Sequence, residues 1–238
     1  KLFIGGFDIS GDVGAVQTIA ARRALLDVTA IENSAHARIV GQRDGELAFN
    51  TWFDDASNQE HDALKGLATT DRIVLYFRGT NMGSPVAALS AKQVNYDWDR
   101  AADGALQGSV QALANDFGLE WCEALTAGKR TDTAATAVPA SVDYGAVSTL
   151  FGMAAYLEVF AFTGTSVTAK VRDSADNVTF ADIAGGDFAA VSAAPAQERI
   201  QTGLTATIRR YVGVATSGTF TNAVFAVAFI RYLTARDP

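Results

Sequence analysis

Apolar and polar residues alternate along several segments in the second half of the chain, and this pattern predicts β-strands. In Ser166–Arg172, Val167, Ala169 and Val171 alternate with polar side chains, so one face is expected to be buried and the other solvated. Turn signals such as Thr163–Thr165 separate these segments at the spacing expected of an antiparallel β-sandwich. The predicted strands are Tyr156–Phe162, Val167–Arg172, Val178–Ile183, Thr205–Val214 and Val224–Leu233.

The first half alternates less regularly but contains a predicted hairpin. Its strands are Ala24–Ile31 and Ala37–Val40, joined by the polar link Glu32–His36. Arg43–Gly45 is predicted as a turn before a further strand, Glu46–Phe53. Four more segments compatible with strands follow, namely Arg72–Phe77, Val86–Tyr96, Leu106–Ala114 and Leu119–Leu125.

One helix is predicted, over Ala56–Leu67. Asp54, Asp55 or Ser57 can cap its amino end, and its apolar residues lie on one face. The predicted fold class is therefore mainly β, with one flanking helix in the first half and an antiparallel β-sandwich in the second.

Two irregular segments suggest the domain organisation. Glycines crowd the opening of the chain, which favours an extended arm whose apolar side chains need a partner surface. The contact candidates on this arm are Phe3, Ile4, Phe7 and Ile9. Ala127–Val142 is rich in Thr and Ala and is typical of a linker, so we expect one domain over residues 1–140 and another over 141–238.

Composition excludes several classes of protein. Hydrophobic residues make up 49% of the chain and charged residues 19%, which excludes a disordered chain. The longest apolar run, Ala223–Ile230, is too short for a membrane-spanning helix, so no membrane partner is expected. The net charge is −7, and residues 1–140 carry most of it with 18 acidic and 12 basic side chains. Such an acidic module is a poor match for sequence-specific binding of duplex DNA.

The sequence shows no set of reactive side chains, so we expect no enzymatic activity, cofactor or metal. His36 and His61 lie in unlike contexts, and Cys122, the single cysteine, cannot complete a zinc site with them. Asp173–Asn177 is a candidate ion loop, but it lacks the ligand order of an EF-hand and is better interpreted as an Asx-rich turn. With one cysteine no intrachain disulfide forms, which fits folding in a reducing cytoplasm.

Residues 1–140 resemble the major tail (tail tube) proteins of long-tailed bacteriophages. The resemblance rests on the glycine-rich opening Gly5–Gly14, the segment Arg43–Phe53, the helix Ala56–Leu67 and the strand Arg72–Gly79. It continues in the Gln93–Tyr96 run, and Glu120-Trp121 and Leu125–Gly128 close it. Tyr156–Leu233 is similar to the additional β-sandwich that some of these proteins carry on the outside of the tail.

The resemblance implies a tail-tube-like β-sandwich or barrel in the first half and a mechanical role. Subunits would form hexameric rings that stack into a tube in the virion tail, after synthesis in the host cytoplasm. The tape-measure protein and the genome DNA would occupy the lumen without sequence-specific binding. A lumen lined with carboxylates would repel the DNA backbone, and the candidates for lumen-facing residues are Glu46, Asp97, Asp99 and Asp103.

Two alternatives remain open from the sequence. A carbohydrate-binding or host-adhesion module would present aromatics such as Phe180, Tyr211 or Phe220 to a sugar, although aromatics in a sandwich are more often core. A capsid decoration protein would share the sandwich fold, because the same fold serves many roles.

Overall fold

The computed structural model describes residues 1–145 and 148–235, and most of them lie in β-strands, which confirms the predicted mainly-β class. The first half contains one short helix, α1, at Glu60–Leu64. Its strands are β1 (Leu2–Ile4), β2 (Phe7–Asp8), β3 (Val13–Asp27), β4 (Arg38–Trp52), β5 (Arg72–Phe77), β6 (Pro85–Gln93), β7 (Asp97–Arg100), β8 (Leu106–Ala114) and β9 (Glu120–Ala124).

The second half is built around two very long strands. The strands are β10 (Arg130–Asp132), β11 (Ser141–Asp143), β12 (Met153–Ser174), β13 (Ala181–Asp187), β14 (Ala196–Gln201) and β15 (Tyr211–Arg231). The sheet runs in the order β13-β12-β15-β9-β6-β5-β1-β2, and its strand pairs are antiparallel. A hydrogen-bonded sheet therefore connects the two halves of the chain.

Two predicted turns are instead parts of continuous strands. Gly45 lies inside β4, where an added Cβ would approach the backbone nitrogen of Leu119 to 2.4 Å. Gly164 lies inside β12 at a register shift, where an added Cβ would approach the Cα of Phe220 to 2.5 Å. Both glycines permit a close approach of two backbones, a use of glycine that the sequence does not distinguish from a turn.

The predicted helix Ala56–Leu67 is reduced to the single turn of α1. Asn58 has a positive φ of 65°, which stops the helix from beginning earlier. None of the predicted residues caps α1. The N-cap position is occupied by Gln59, whose side chain makes no capping hydrogen bond. Asp12 from the distant amino-terminal segment accepts the N–H of Glu60 at 3.1 Å and so takes the role of the cap.

Three apolar clusters form the core. One is built from the first half around Ile4, Phe49 and Leu89, and another from the second half around Val171 and Phe225. The third mixes both halves, because its members are Phe3, Ile73, Leu75, Phe77, Val86, Ala88, Cys122, Ala124, Tyr156, Ala226 and Ala228. The two halves thus share buried apolar surface.

The stretch predicted as a linker is partly structured. Its strand β10 pairs with β15 through Thr131 and Val224, and β11 at its end pairs with β15 through Val142 and Val212. A division of the chain at residues 140 and 141 stays a prediction.

Candidate assembly interface

The β3–β4 hairpin extends well beyond the rest of the sheet. β4 pairs with β8 only from Glu46 to Trp52, whereas its pairing with β3 continues outward from Gly45 and Ala21 to Arg38 and Asp27. We call residues 21–45 the arm and the remaining described residues the body. Ten residues of strand at about 3.3 Å each give the arm a reach of roughly 30 Å.

The arm carries apolar side chains that the described residues of the chain leave exposed. Every residue from Ala21 to Asp44 is exposed or half-buried. The exposed large apolar residues of the arm are Leu25, Leu26, Val28, Ile31, Ile39 and Val40. An isolated two-stranded ribbon is marginally stable in water, and exposed apolar side chains concentrated on such a ribbon mark an interaction surface.

The base of the arm is fixed to the body by close packing. An added Cβ at Gly118 would meet the Cβ of Arg43 at 2.8 Å, so this glycine lets β4 lie directly on the 117–120 segment. Arg22 forms an ion pair with Glu46 at 2.9 Å, and Arg43 approaches Glu120 at 3.9 Å. The arm therefore leaves the sheet in a defined direction.

The outer end of the arm is organised by a small polar cluster. Asp27 accepts hydrogen bonds from the N–H of Thr29 at 2.9 Å and from the Thr29 hydroxyl, and His36 Nδ1 lies 3.1 Å from the Asp27 carboxylate. The hydrogen bonds from Thr29 lower the pKa of Asp27. These contacts close the turn between the two strands without burying its apolar neighbours.

A crevice of about 1500 Å³ separates the base of the arm from the body. Arg23 and Val40 line it on the arm side, and Phe117, Leu204 and Ile230 line it on the body side. Its volume exceeds the roughly 300–1,000 Å³ typical of small-molecule sites.

The expected amino-terminal arm is not observed, because its residues belong to the core. Phe3, Ile4 and Ile9 are fully buried and Phe7 is half-buried. The Phe3 ring packs against Phe160 of the second half, with a centroid distance of 4.8 Å. A contact between these four residues and another subunit stays a prediction, and it requires the first two strands to leave the sheet.

The glycines at the start of the chain explain this difference. Gly5 and Gly6 adopt positive φ angles of 63° and 85° and fold β2 back onto β1. Their N–H groups donate to the two carboxylate oxygens of Glu158, at 3.1 Å for Gly5. Burial raises the pKa of Glu158 well above its usual value. The glycines thus form a tight turn docked on β12.

The four acidic residues predicted to face the lumen lie in two places. Glu46 is half-buried at the base of the arm, where it pairs with Arg22 and accepts a hydrogen bond from Gln111 at 2.7 Å. Asp97, Asp99 and Asp103 are exposed around β7 and the turn that follows it. Their orientation toward a lumen stays a prediction.

The remaining candidate residues make contacts within the chain. Asp173 binds the Arg209 guanidinium at 2.5 Å, and Asp176 accepts the N–H groups of Val178 and Thr179 at 2.9 and 2.8 Å. Asn177 accepts the Ser141 hydroxyl at 2.5 Å. In the described residues, no group of three or more His, Cys, Asp or Glu side chains is placed to hold a metal ion.

The single cysteine and His61 are also engaged structurally. Cys122 is buried in the mixed cluster, and burial raises its pKa well above the usual value. His61 Nδ1 lies 2.7 Å from the Tyr96 hydroxyl. Of the aromatics considered for sugar binding, Phe220 is buried and Phe180 and Tyr211 are half-buried. Across the part of the chain that is described, no helix is long and apolar enough to cross a membrane.

Sequence reasoning missed a buried charge network between the halves. Glu120 accepts hydrogen bonds from the hydroxyls of Tyr156 and Tyr232, both at 2.6 Å, and from Arg199 at 2.9 Å. The Arg199 guanidinium also stacks on the Phe117 ring at 3.5 Å. Burial opposes ionisation of Glu120, but Arg199 beside it leaves its pKa below the usual value. These partners are far apart in sequence, so no local signal reveals them.

Sequence reasoning also missed the exposure of the arm, although a signal was present. Leu25-Leu26 and Ile39-Val40 are adjacent apolar pairs, which break the alternation of a strand with one wet face. Such pairs indicate a strand that is covered on both faces, either inside the fold or by another molecule.

No protein-family model and no curated protein matches this chain. Among solved structures, the chain is similar to a subunit from the tail of an empty gene transfer agent particle, with 16% identity and a TM-score of 0.39 over 50% of this chain and 94% of that one. It is also similar to the SPP1 Dit protein, a hub adsorption apparatus protein of a phage that infects Gram-positive bacteria, with 11% identity and a TM-score of 0.34 over 97% and 98% of the two chains.

A third similar structure is a chain of the phage p2 baseplate in its activated conformation, with 12% identity and a TM-score of 0.33 over 95% of this chain and 93% of that one. The first of these structures is a tail, the second belongs to a hub adsorption apparatus and the third is a baseplate. At such identities and TM-scores, the similarity by itself assigns neither a shared fold nor a role to this chain.

Proposed function

We propose that this protein is a non-enzymatic structural subunit of a bacteriophage tail that assembles with copies of itself. The observation that carries the proposal is the arm, which projects apolar side chains that residues 1–145 and 148–235 leave exposed. The resemblance of residues 1–140 to tail tube proteins indicates that the assembly is a bacteriophage tail. A covered arm would gain about 25 cal/mol for each Å² of apolar surface removed from water.

Charge favours another copy of this chain as the partner. The arm carries four arginines against Asp27, Glu32 and Asp44, a net charge of +1. Because the whole chain carries −7, the remaining residues carry −8. A basic, apolar arm and an acidic body complement each other, which guides association between identical subunits. Contacts that join different surfaces of identical subunits close into rings or continue into filaments.

In the finer form of the proposal, hexameric rings stack into the tail tube. The tape-measure protein and the genome DNA then pass through the lumen without sequence-specific contacts, and the subunit is located in the virion tail. Asp97, Asp99 and Asp103 remain the candidates for an acidic lumen wall, because all three are exposed. Glu46 is a weaker candidate, since Arg22 compensates its charge.

The test is to shorten the arm. Replacing residues 25–40 with an Asn-Gly turn joins two paired strands through the best two-residue hairpin connection. We expect the full-length protein to form rings or tubes at high concentration, in sedimentation velocity and negative-stain microscopy, and the shortened protein to stay monomeric. Both proteins are expected to have similar circular dichroism spectra, because the removed residues contribute nothing to the core.

Val178→Ser is the matched control, because Val178 is an exposed apolar residue outside the arm. It is expected to assemble as the unaltered protein does. A full-length protein that stays monomeric at every concentration, or a shortened protein that still forms tubes, contradicts the proposal.

A further inference from the structure

The end of the arm is apolar on both of its faces. Leu25 is paired with Val40, and Leu26 is paired with Ile39. Paired residues share a face of an antiparallel ribbon, and successive residues point to opposite faces. Leu25 and Val40 therefore form one apolar patch, and Leu26 and Ile39 form a second patch on the other side.

The two patches are exposed to the same extent. Leu25 and Val40 are 64% and 53% exposed, and Leu26 and Ile39 are 56% and 55% exposed. Both faces are therefore more than half exposed at this end of the arm, although Val40 also lines the crevice beside the body. A single docking surface would cover only one of the two patches.

Elsewhere in the chain, a strand with one apolar face has only that face buried. In β12 the buried residues Val167, Ala169 and Val171 alternate with residues that are only half-buried. Strands with consecutive apolar residues, such as Ala226–Phe229 in β15, are buried on both sides. The arm has the second pattern but stands outside the fold, so its pattern predicts cover on two sides.

We propose that the end of the arm is held between two other copies of this chain, one against each apolar face. This inference rests on the proposed self-assembly and specifies its geometry. The bodies of the two copies supply acidic surface, and the arm brings Arg23 and Arg38 close to its apolar patches. One arm thereby links three subunits, which couples contacts within a layer of subunits to contacts between layers.

Two paired variants of the full-length protein test the inference face by face. The first is Leu25→Thr with Val40→Thr, and the second is Leu26→Thr with Ile39→Thr. Threonine keeps the strand propensity and removes apolar surface, so the hairpin is expected to remain folded. The matched controls are Leu25→Ile with Val40→Ile, and Leu26→Ile with Ile39→Val, which keep each face apolar.

We expect each threonine pair to raise the protein concentration needed for assembly at least tenfold, measured by light scattering and sedimentation, with each control close to the unaltered protein. If only one threonine pair has an effect, the arm docks on a single surface and the inference is wrong, while self-assembly stands. If the unaltered protein does not assemble, the proposed function and this inference both fail.

Cross-linking gives a second measurement that does not depend on loss of assembly. Cys122 is buried, so Leu25→Cys or Leu26→Cys introduces an accessible thiol for a short photoreactive label. In assembled protein the two labels are expected to attach to different peptides of other copies. Attachment of both labels to the same peptide, or only to peptides of the labelled copy, overturns the inference.

Discussion

The arm and the amino-terminal hairpin are both apolar ribbons interrupted by glycine, yet one is exposed and the other is core. β1 and β2 are short, and the Glu158 carboxylate accepts hydrogen bonds from their turn at Gly5 and Gly6. The Phe3 side chain is therefore buried in the core of the same chain. The arm extends beyond β8, which pairs with β4 only from Glu46 to Trp52, and Leu25, Leu26, Ile39 and Val40 on the arm are exposed. The density of apolar residues shows that a segment will be covered, but it does not show which molecule covers it.

The largest expected difference between the two regions is in stability. Phe3→Ala removes a fully buried ring that packs on Phe77 and Phe160, so it is expected to lower the free energy of unfolding by about 3–5 kcal/mol. Leu25→Ala on the arm is expected to change it by less than about 0.5 kcal/mol, since the side chain is exposed. Urea unfolding of both variants at a concentration where the protein is monomeric measures the two values. Similar losses for both variants would contradict the assignment of Phe3 to the core and Leu25 to an interface.

A smaller effect should appear as a pH dependence of the amino-terminal region. Burial raises the pKa of Glu60 to about 7, and Tyr96 donates a hydrogen bond to its carboxylate at 3.3 Å. Asp12 accepts the N–H of Glu60, so this site joins α1 to the amino-terminal segment.

The direction in which the free energy of unfolding changes with pH follows from proton uptake. Between the ordinary pKa of 4.5 and a pKa of about 7, the folded state holds a proton that the unfolded state has lost. The contribution of Glu60 to stability is therefore present below pH 4.5 and is lost as the pH rises to about 7, by about 3 kcal/mol at most. Glu60→Gln stays neutral and lacks this loss. The measurement is the free energy of unfolding of both proteins from pH 4.5 to 8, and parallel curves would show that Glu60 titrates normally.

The smallest of the three effects concerns the carboxylate that holds the amino-terminal turn. Glu158→Gln keeps the side-chain volume but replaces one acceptor oxygen with a donor facing Gly5 or Gly6, which leaves a buried N–H without an acceptor. We expect a loss of about 2 kcal/mol in the free energy of unfolding. Amide hydrogen exchange of residues 2–9 should accelerate at the same time.

Glu32→Gln is the control for this variant, because Glu32 is exposed near the end of the arm. It should leave both the stability and the exchange rates unchanged. If Glu158→Gln also leaves the amino-terminal exchange rates unchanged, the turn is held by its apolar contacts alone.

Much of the secondary structure could be predicted from the chain itself. Alternation in Ser166–Arg172 correctly indicates a strand with one buried face, and the hairpin around Glu32–His36 is correctly located. Such signals are local, because the pleat of a strand imposes a period of two on its neighbours in sequence. The strand β14 was missed, since Ala196–Gln201 is largely polar and gains its place by pairing with β12.

Only part of the candidate interface could be predicted from the sequence. The sequence alone determined that apolar segments alternate with polar ones in a mainly-β chain, and that Leu25-Leu26 and Ile39-Val40 depart from this alternation. Only the tertiary structure decided that Phe3 is core while Leu25 is exposed, that Gly45 serves close packing on Leu119, and that Glu120 joins the two halves. The physical reason is that burial, close approach and charge pairing depend on residues far away in sequence, and the chain brings these together only when it folds.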